Sequence, residues 1–482
     1  MLVVHKFGGT SVGSAERIAA VADIVGEQYA TTTMGARDGI VVVVSAMSGV
    51  TNQLLNGAWA AAEGRTGDYE RVLARLAERH QQAIETLFPA GEMLDSLSGL
   101  VTQRLQDLRR LYESIAVLGE VTARGRDHVA AFGEQLSAHI LAALLRLRGV
   151  PAEPLMATEL IVTDDHFGAA KPLLAKTRDR LQARLRPLLA EGVVPVVTGF
   201  IAATEAGTTT TLGRGGSDYT AAIVGAGLDA DEVWIWSDVD GILTADPNLV
   251  PQARTLRELS YAEAAELAYY GADVLHPKTI QPVIASRIPL RILNSFNPAD
   301  PGTLIVADPD PGRERLPAII STEGLTLITI GGRDDTWSLL EVARTLQSLS
   351  EAGIEVPMFS QSFSEHTLNL VVRGQDQERC LRTLRTLYLG PLTAGDLVLE
   401  AKERVATVSV VGVPDWNEMG VVQHVFAAVG DLGTRVIAVA QAATETSVSF
   451  CIPEDQVAAT VRHLHRHLEM DHDVGSQGGS AS

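Results

Sequence analysis

Residues 2–11 of the chain read Leu2-Val3-Val4-His5-Lys6-Phe7-Gly8-Gly9-Thr10-Ser11. An apolar run of strand length ends on a lysine and two glycines, and a helical pattern follows. Glycines let the backbone approach a ligand closely, and Thr10 and Ser11 can cap a helix N-terminus, which favours an anion. A tight strand-to-helix turn with an incidental lysine is the alternative, and this stretch taken alone favours that alternative.

A second stretch repeats this composition with arginine in place of lysine. It reads Thr211-Leu212-Gly213-Arg214-Gly215-Gly216-Ser217-Asp218-Tyr219. Ser217 is expected to cap the following helix, whose free backbone N–H groups face an anion. The Arg214 guanidinium can hold a carboxylate through two parallel hydrogen bonds. Together the two loops predict a site for a nucleotide and a second anionic substrate.

Three further segments are ambiguous when each is taken alone. Glu134 opens a helix, where its carboxylate can bind a substrate amino group or serve as an ordinary first-turn acid. Thr51 follows a strand end, in a segment that is a helix cap or part of a site. Asp238 and Asp240 follow another strand, where acids hold Mg²⁺ through water, orient a ribose or form a solvated turn.

Length and composition limit the possible functions. A chain of 482 residues is expected to form two or three domains. Its net charge of −20 argues against nucleic acid or an anionic membrane as partner. The two cysteines, Cys380 and Cys451, are expected to be buried reduced thiols. With no signal peptide and apolar runs only of strand length, a cytoplasmic protein is expected.

The pattern of the first 310 residues predicts an α/β domain with a mostly parallel sheet. Val41-Val42-Val43-Val44 lacks polar alternation, as in a strand covered on both faces. Residues 68–118 are expected to form an appended helical hairpin with a solvated charged face. The predicted strands are Leu2–Phe7, Gly39–Ala46, Val193–Ile201, Glu232–Ser237 and Pro289–Asn294.

Beyond a boundary near residues 308–313 the pattern changes to shorter units. Residues 322–392 and 403–470 form an internal repeat of βαββα type, and residues 474–482 have the composition of a disordered tail. No metal site is expected, because the histidines with alternate spacing on the last helix have the pattern of surface residues. These histidines are His463, His465 and His467.

The two loops, with Phe132-Gly133-Glu134 and Val274-Leu275-His276-Pro277, resemble in kind and order the motifs of aspartate kinases. The resemblance extends over essentially the whole chain. It implies an amino-acid kinase fold, a three-layer α/β sandwich, followed by two ACT domains, which are ferredoxin-like α+β modules. The hairpin matches family members that carry one. No homoserine dehydrogenase region follows the second module, so a monofunctional enzyme is expected.

The resemblance implies ATP-dependent phosphorylation of the β-carboxylate of L-aspartate, with Mg²⁺ as cofactor. The product, 4-phospho-L-aspartate, starts the synthesis of lysine, threonine and methionine. A carboxylate with an ordinary pKa of about 3.9 is already ionised at neutral pH, so it needs no general base. The site has to align the reactants and neutralise charge on the transferring phosphoryl group.

The resemblance also implies residue roles. Lys6 bridges the phosphoryl group and the reacting carboxylate, and it is catalytic together with Arg214. Glu134 holds the substrate ammonium, Arg214 its α-carboxylate, and Thr51 and Ser217 help to place it. The nucleotide and its phosphates are expected to contact Lys6, Gly8, Gly9, Thr10, Gly215, Gly216, Ser237 and Asp238.

The ACT-like modules imply feedback by a pathway amino acid, lysine or threonine, in a homo-oligomer that is a dimer or a tetramer. The expected effector positions are Gln361, Ser362, Glu365 and Gln441. The second module lacks the serine-type residues usual after Gln441, so a weakened or absent response is an alternative.

The chain departs from the common family pattern on the nucleotide side. Leu243, Asn248 and Asp273 stand where many relatives have Tyr, Arg and Lys. An acid near polyphosphate is unfavourable by Coulomb's law unless Mg²⁺ intervenes or the side chain turns away. These departures leave open a catalytically silent amino-acid sensor. A kinase acting on glutamate or acetylglutamate is a further alternative, which Glu134 and the ACT-like tail disfavour.

Overall fold

The computed structural model describes residues 1–32, 35, 38–270, 275–312, 315–332, 338–362, 366–412, 420–441 and 447–468. Contacts divide the chain into two compact units. The first comprises residues 1–242, 257–261 and 274–309, and the second comprises residues 243–256, 262–273 and 310–482. The first unit therefore holds both glycine-containing loops, and the second holds both ACT-like modules.

The strands up to residue 309 have lengths of two to six residues. They are β1 (Leu2–Phe7), β2 (Gly39–Val44), β3 (Ala152–Leu155), β4 (Val162–Thr163), β5 (Val194–Thr198), β6 (Ile201–Thr204), β7 (Thr209–Thr211), β8 (Glu232–Ser237), β9 (Glu258–Ser260), β10 (Leu290–Asn294) and β11 (Thr303–Val306). The predicted strands are confirmed, except that residues 193–201 split into β5 and the start of β6.

The helices up to residue 309 connect and flank these strands. They are α1 (Ala15–Thr31), α2 (Val50–Ala62), α3 (Thr66–Leu87), α4 (Glu92–Leu118), α5 (Ala123–Ala130), α6 (Phe132–Leu147), α7 (Ala157–Leu160), α8 (Leu174–Ala190), α9 (Gly216–Leu228), α10 (Tyr261–Tyr270) and α11 (Pro277–Ser286).

An eight-stranded sheet in the order β3-β5-β2-β1-β8-β10-β11-β9 forms the centre of the first unit. Every neighbouring pair except β10–β11 is parallel. On one face, Val42 and Val44 share a core with residues of α1 and α6. On the other face, α9 approaches so closely that a Cβ added at Gly225 would lie 2.5 Å from Cγ2 of Val233. The predicted α/β fold with a mostly parallel sheet is confirmed.

The segment expected to form a helical hairpin contains the two long helices α3 and α4. Its long helices pack on α2 through a common core. The buried hydroxyl of Tyr112 on α4 donates a hydrogen bond to the Leu54 carbonyl oxygen at 2.7 Å. Because α2 begins just after β2, this bond ties the hairpin to the edge of the sheet where β2 ends.

The second unit contains a six-stranded sheet in the order β13-β14-β12-β15-β17-β16. Its strands are β12 (Ala318–Gly332), β13 (Met358–Ser362), β14 (Thr367–Arg373), β15 (Leu397–Val411), β16 (Ala438–Gln441) and β17 (Ser447–Pro453). Its helices are α12 (Leu339–Glu351), α13 (Gln377–Leu387), α14 (Leu389–Ala394), α15 (Gly420–Asp431) and α16 (Val457–His467).

The two ACT-like modules are interleaved in the chain. Residues 325–332 of β12 pair with residues 397–405 of β15, and residues 318–322 pair with residues 407–411. The strand 318–322 therefore belongs to the sheet of the second module although it precedes the first module in sequence. Pairing with residues 318–322 covers an edge of β15 whose backbone N–H and C=O groups a βαββα unit alone would leave unpaired.

Two expectations about single residues have different outcomes. Both cysteines are free and buried, as expected. His465 is not a surface residue, because its ring is fully buried and lies 2.9 Å from Oγ1 of Thr244 in a hydrogen bond. Both partners belong to the second unit.

Among the described helices, none has the length and apolar composition needed to cross a bilayer.

Candidate active site

The carboxyl ends of β1, β2 and β8 meet at the loop that contains Gly8 and Gly9. The Gly8 N–H donates to the Trp236 carbonyl oxygen at 3.4 Å, and the Ser48 N–H donates to the Gly9 carbonyl oxygen at 3.1 Å. A Cβ added at Gly9 would lie 3.1 Å from the Ala46 carbonyl oxygen. The glycines thus allow the loop to lie close against the ends of both neighbouring strands, where parallel sheets bind ligands.

Lys6 forms a largely buried ion pair in this region. Side chains alternate along a strand, so Lys6 points to the same face as Val4, which is the face that α9 covers. Its Nζ atom lies 2.5 Å from Oδ1 of Asp218 in the first turn of α9. A Cβ added at Gly8 would lie 3.2 Å from that Nζ atom. The lysine ammonium is therefore held directly beneath the glycine loop.

Asp218 is a residue to which the sequence analysis assigned no role. Asp218 directly follows Gly-Gly-Ser in the Arg214 loop, and this position in the motif was the one sequence signal that it belongs to the site. What the sequence did not show is that β1 and α9 place the two charges in contact. Since both side chains are mostly shielded from water, their attraction is stronger than that of an exposed pair.

The Arg214 loop connects β7 to α9 and requires two glycines for its backbone. Gly213 and Gly215 have φ angles of 80° and 69°, in the left-handed region. Gly215 is the N-cap of α9, so the expectation that Ser217 caps this helix is wrong. The left-handed turn at Gly215 starts the helix earlier and puts Ser217 in its first turn. The Arg214 side chain is exposed.

Ser217 nevertheless lies at the strand ends. A Cβ added at Gly199 would lie 2.7 Å from Oγ of Ser217 and 3.0 Å from the Val44 carbonyl oxygen. The Gly199 N–H donates to that same oxygen at 2.8 Å. Gly199, which the sequence analysis missed, thus provides the space in which Ser217 reaches the ends of β2 and β5.

The buried carboxylate of Asp127 is hydrogen-bonded to the start of the Arg214 loop. Asp127 on α5 accepts hydrogen bonds from the N–H and Oγ1 of Thr211, both at 2.9 Å. It also accepts one from the Gly168 N–H at 2.8 Å. A Cβ added at Gly213 would lie 3.1 Å from the Gly168 carbonyl oxygen. The sequence gave no signal for Asp127, because its partners are distant in the chain.

His276 contacts the same loop from another element. A Cβ added at Gly215 would lie 2.6 Å from Cβ of His276. His276 is also the N-cap of α11, and its Nδ1 accepts a hydrogen bond from the Lys278 N–H at 3.2 Å. The histidine of the fourth family motif therefore helps to fix the backbone on which Arg214 stands.

Glu134 is a buried acid in the first turn of α6. That turn packs on the end of β2, because a Cβ added at Gly133 would lie 2.5 Å from Cβ of Ala46. Burial raises the pKa of the Glu134 carboxyl to about 8, although backbone N–H groups of Glu134 and Ala46 lower it. Its Oε2 atom has no hydrogen-bond partner in the described part of the chain. An approaching cation would satisfy this oxygen.

Thr51 stands near Glu134 because the first turns of α2 and α6 are adjacent. The same added Cβ at Gly133 would lie 3.1 Å from Cγ1 of Val50, the first residue of α2. Thr51 is the second residue of that helix and is partly exposed. The two helix N-termini thus bring a hydroxyl and a carboxyl to the same end of β2.

Ser237 is the last residue of β8, and Asp238 follows it directly. Oγ of Ser237 donates to Oδ1 of Asp238 at 3.1 Å. The Ser237 carbonyl oxygen accepts from the N–H of Ser295 at 2.9 Å. Oγ of Ser295 in turn bonds Oγ of Ser11 at 2.8 Å. The strand end that carries Ser237 and Asp238 is therefore joined to the loop after β1.

The helix α1 has a different cap from the expected one. Ser14 is its N-cap and accepts from the Arg17 N–H at 3.4 Å, so the expectation that Thr10 and Ser11 cap this helix is wrong. Two further turns separate the glycines from the helix, and Ser11 is buried in its bond to Ser295 instead. Thr10 is exposed beside Gly9.

Residues 1–294 match the amino acid kinase family, and residues 408–468 match an ACT domain. Aspartokinase 1 of Arabidopsis thaliana, a chloroplastic protein, is 33% identical over 477 residues, which cover 96% of this chain and 79% of that protein. This chain belongs to the aspartokinase family.

Other aspartokinases are similar over nearly all of this chain. The bifunctional aspartokinase/homoserine dehydrogenase 2 of Zea mays is 33% identical over 472 residues, and the chain spans about half of its length. Aspartokinase III of E. coli in complex with aspartate and ADP has the same fold, with a TM-score of 0.80, 29% identity, and coverage of 97% of this chain and 100% of that one. Its complex with lysine and aspartate gives 0.78, with 30% identity and coverage of 97% and 99%.

Two of the three positions at which the chain departs from the family pattern lie in the described residues. Leu243 forms a β-bridge with Thr255 in the second unit. Asn248 is exposed, and its Nδ2 donates to Oδ1 of Asp246 at 2.9 Å, which closes a local turn. Asp273 lies outside the described residues.

Three of the four expected effector residues stand on edge strands of the ACT-like sheet. Gln361 and Ser362 end β13, and Gln441 ends β16. These strands lie at opposite edges of the six-stranded sheet. Glu365 lies outside the described residues. Gln361 and Gln441 thus lie on corresponding strands of the two modules.

Proposed function

We propose that this chain transfers the γ-phosphoryl group of MgATP to the β-carboxylate of L-aspartate, giving 4-phospho-L-aspartate and ADP. One observation carries the proposal: the shielded Lys6–Asp218 pair lies around the same strand ends as the buried Glu134 carboxyl, whose Oε2 atom has no hydrogen-bond partner among the described residues. Ala46 links the two groups, because it lies against Gly9 in the loop above Lys6 and against Gly133, which precedes Glu134. The E. coli relative in complex with aspartate and ADP supports the choice of substrates.

The transfer needs charge neutralisation rather than proton removal. An oxygen of the ionised β-carboxylate attacks the γ-phosphorus, the bond from phosphorus to the β,γ-bridging oxygen breaks, and ADP leaves with that electron pair. Lys6 places its ammonium between the two anionic reactants, which would otherwise repel each other. Asp218 orients that ammonium group through the ion pair.

The amino-acid substrate is held at both ends. The Glu134 carboxylate pairs with its ammonium, and the Arg214 guanidinium pairs with its α-carboxylate. Thr51 and Ser217 contribute hydroxyl groups near the end of β2. Binding both ends fixes the direction of the β-carboxylate, which limits the reaction to an acceptor of the right length.

The nucleotide phosphates lie against the backbone of the two glycine loops, where the lack of side chains allows close approach. The residues that provide these contacts are Gly8, Gly9, Thr10, Gly215 and Gly216, and the nucleotide also contacts Ser237 and Asp238. Mg²⁺ enters as part of the MgATP substrate and offsets the charge of the phosphates beside Asp238.

The ACT-like modules provide feedback control by lysine or threonine in a homo-oligomeric assembly, a dimer or a tetramer. The E. coli relative in complex with lysine and aspartate favours lysine. The effector contacts proposed are Gln361, Ser362, Glu365 and Gln441.

The test is aspartyl hydroxamate formation by the pure protein with MgATP, aspartate and hydroxylamine. We expect turnover, and we expect lysine to suppress it more than threonine. Lys6→Met should abolish turnover, whereas the matched variant Lys171→Met, at an exposed lysine, should keep it. Glutamate and acetylglutamate should not replace aspartate.

A folded wild-type protein that forms no hydroxamate would refute the kinase proposal. ATP-independent binding of lysine or threonine by that protein would then indicate the amino-acid sensor. Turnover with glutamate in preference to aspartate would refute only the proposed substrate.

A further inference from the structure

The second ACT-like module brings two histidines and an aspartate together at the ends of α15 and α16. His463 and His467 are four residues apart on α16, and helical spacing puts them on the same face. Their ring centroids are 6.1 Å apart. Asp431 is the last residue of α15, and one ligand atom from each of the three residues lies within 4.8 Å of the others.

The position of Asp431 relative to α16 is fixed by the surrounding structure. Residues of both helices share one hydrophobic core, with Ala428 and Val429 on α15 and Val461 and Leu464 on α16. The loop directly after Asp431 is also attached to α16, because Oγ1 of Thr434 and Oγ1 of Thr460 are 3.1 Å apart in a hydrogen bond. The cluster therefore stands on two helices that cannot separate without disrupting this core.

A buried ring nitrogen gives independent support for a ligand. Nε2 of His463 is buried and has no hydrogen-bond partner in the described part of the chain. Neither ring is hydrogen-bonded to Asp431 among those residues. A polar atom buried without a partner is unusual in a folded protein, and a bound cation would account for it.

The donor set indicates the class of cation. Two imidazole nitrogens and one carboxylate oxygen suit divalent first-row transition metals, whereas Mg²⁺ and Ca²⁺ prefer oxygen ligands alone. Donors around tetrahedral Zn²⁺ at bond lengths of about 2.1 Å are about 3.4 Å apart, so no pair of the three ligand atoms has to close by more than about 1.4 Å. Asp431 and His467 are exposed and have room for that rotation.

We propose that Asp431, His463 and His467 form a site for a divalent first-row transition cation of the Zn²⁺ class, with solvent in the remaining coordination position. The site joins α15 to α16 and stabilises the second ACT-like module. It is independent of the proposed kinase activity, since none of the three residues takes part in phosphoryl transfer. It also differs from the sequence expectation that these histidines have no metal role.

The test is titration of the full chain with Zn²⁺ alone, free of ATP and amino acids, by calorimetry and by competition with a chromogenic chelator. We expect one equivalent per chain and a higher unfolding temperature in its presence. His463→Gln and His467→Gln should each weaken this binding at least about tenfold, and Asp431→Asn should weaken it less, because an amide oxygen remains. His166→Gln, at an exposed histidine in the first unit, should have no effect.

Co²⁺ gives a second measurement that does not depend on affinity alone. Visible absorption from Co²⁺ bound to the wild type should be lost in the His463→Gln/His467→Gln double variant, whose fold is checked by circular dichroism. Absence of Zn²⁺ binding at about 100 µM, or one equivalent bound equally well by the double variant, would overturn the proposal. In those cases Asp431 and the histidines form only a surface cluster.

Discussion

On the proposed function, the buried carboxyl of Glu134 should make aspartate binding depend on pH. Its pKa of about 8 means that at pH 7 only about one-tenth of the ligand-free protein carries the charge that an ammonium ligand needs. Ionising the Glu134 carboxyl at pH 7 therefore costs about 1.4 kcal/mol, since one pKa unit is worth about 1.36 kcal/mol. An ammonium group beside the carboxylate lowers its pKa, so binding at pH 7 should release about 0.9 proton from Glu134.

The proton release can be measured by titrating the protein with aspartate at pH 7 in two buffers that differ in ionisation enthalpy. The dissociation constant should fall about tenfold per pH unit from pH 6 to 7.5 and level off above pH 8. In Glu134→Gln the proton release and this pH dependence should disappear. At pH 8.5 the variant should bind about 10- to 100-fold more weakly, because a hydrogen bond to a charged group is worth about 1.5–3 kcal/mol. Glu191→Gln, at an exposed glutamate, serves as the control.

The same pKa shift affects stability without ligand. The folded pKa is raised above the unfolded value of 4.5, so the folded protein binds the proton more tightly. Its contribution is fully present below pH 4.5 and is lost as pH rises through about 8, so the free energy of unfolding falls over this window. Glu134→Gln should remove that part of the decline. Aspartate binding with no proton release by the wild type, or with the same pH dependence in the variant, would refute the assigned environment of Glu134.

Three further substitutions test the site. Lys6→Arg should reduce hydroxamate formation by at least about 100-fold with little change in aspartate affinity, because a planar guanidinium cannot replace the ammonium beside Asp218; equal turnover would contradict the role of Lys6. Asp127→Asn should lower the free energy of unfolding, measured by urea denaturation, by about 2–3 kcal/mol, because one of the two oxygens that accept hydrogen bonds from Thr211 becomes an NH₂ group. An unchanged urea midpoint would contradict this. Gly199→Ala should lower the free energy of unfolding by about 1–3 kcal/mol and raise the KM for aspartate, because the added Cβ would collide with Ser217. The control Gly26→Ala should leave stability unchanged or raise it, because the added Cβ meets no neighbouring atom within 4 Å.

Local sequence carried the information for the elements and for most of the expected site. The run of valines in β2 has too many apolar side chains for a strand exposed on one face, and both of its faces are covered. The first hairpin helix, α3, ends where Phe88 and Pro89 interrupt the helical pattern, and α6 begins at Phe132 as expected. Such signals depend on neighbours in the chain, and therefore they can be read directly.

Signals that depend on distant contacts were missed. Asp127 and Gly199 matter because of partners at Thr211 and Val44, and no pattern in sequence connects them. His465 has surface-like spacing, yet its ring is buried against Thr244, more than two hundred residues earlier. The cap of α9 was misassigned because a glycine in the left-handed region, Gly215, can start a helix before a serine does.

The sequence by itself determined the α/β order of elements, the two glycine loops, the acid that opens α6 and the repeat in the second unit. Only the tertiary structure decided that Lys6 pairs with Asp218, that Glu134 is buried enough to hold its proton near neutral pH, and that residues 318–322 complete the second ACT-like module. The physical reason is that turn geometry and periodicity are local properties of the backbone. Burial and charge contacts instead depend on which segments, distant in sequence, pack together.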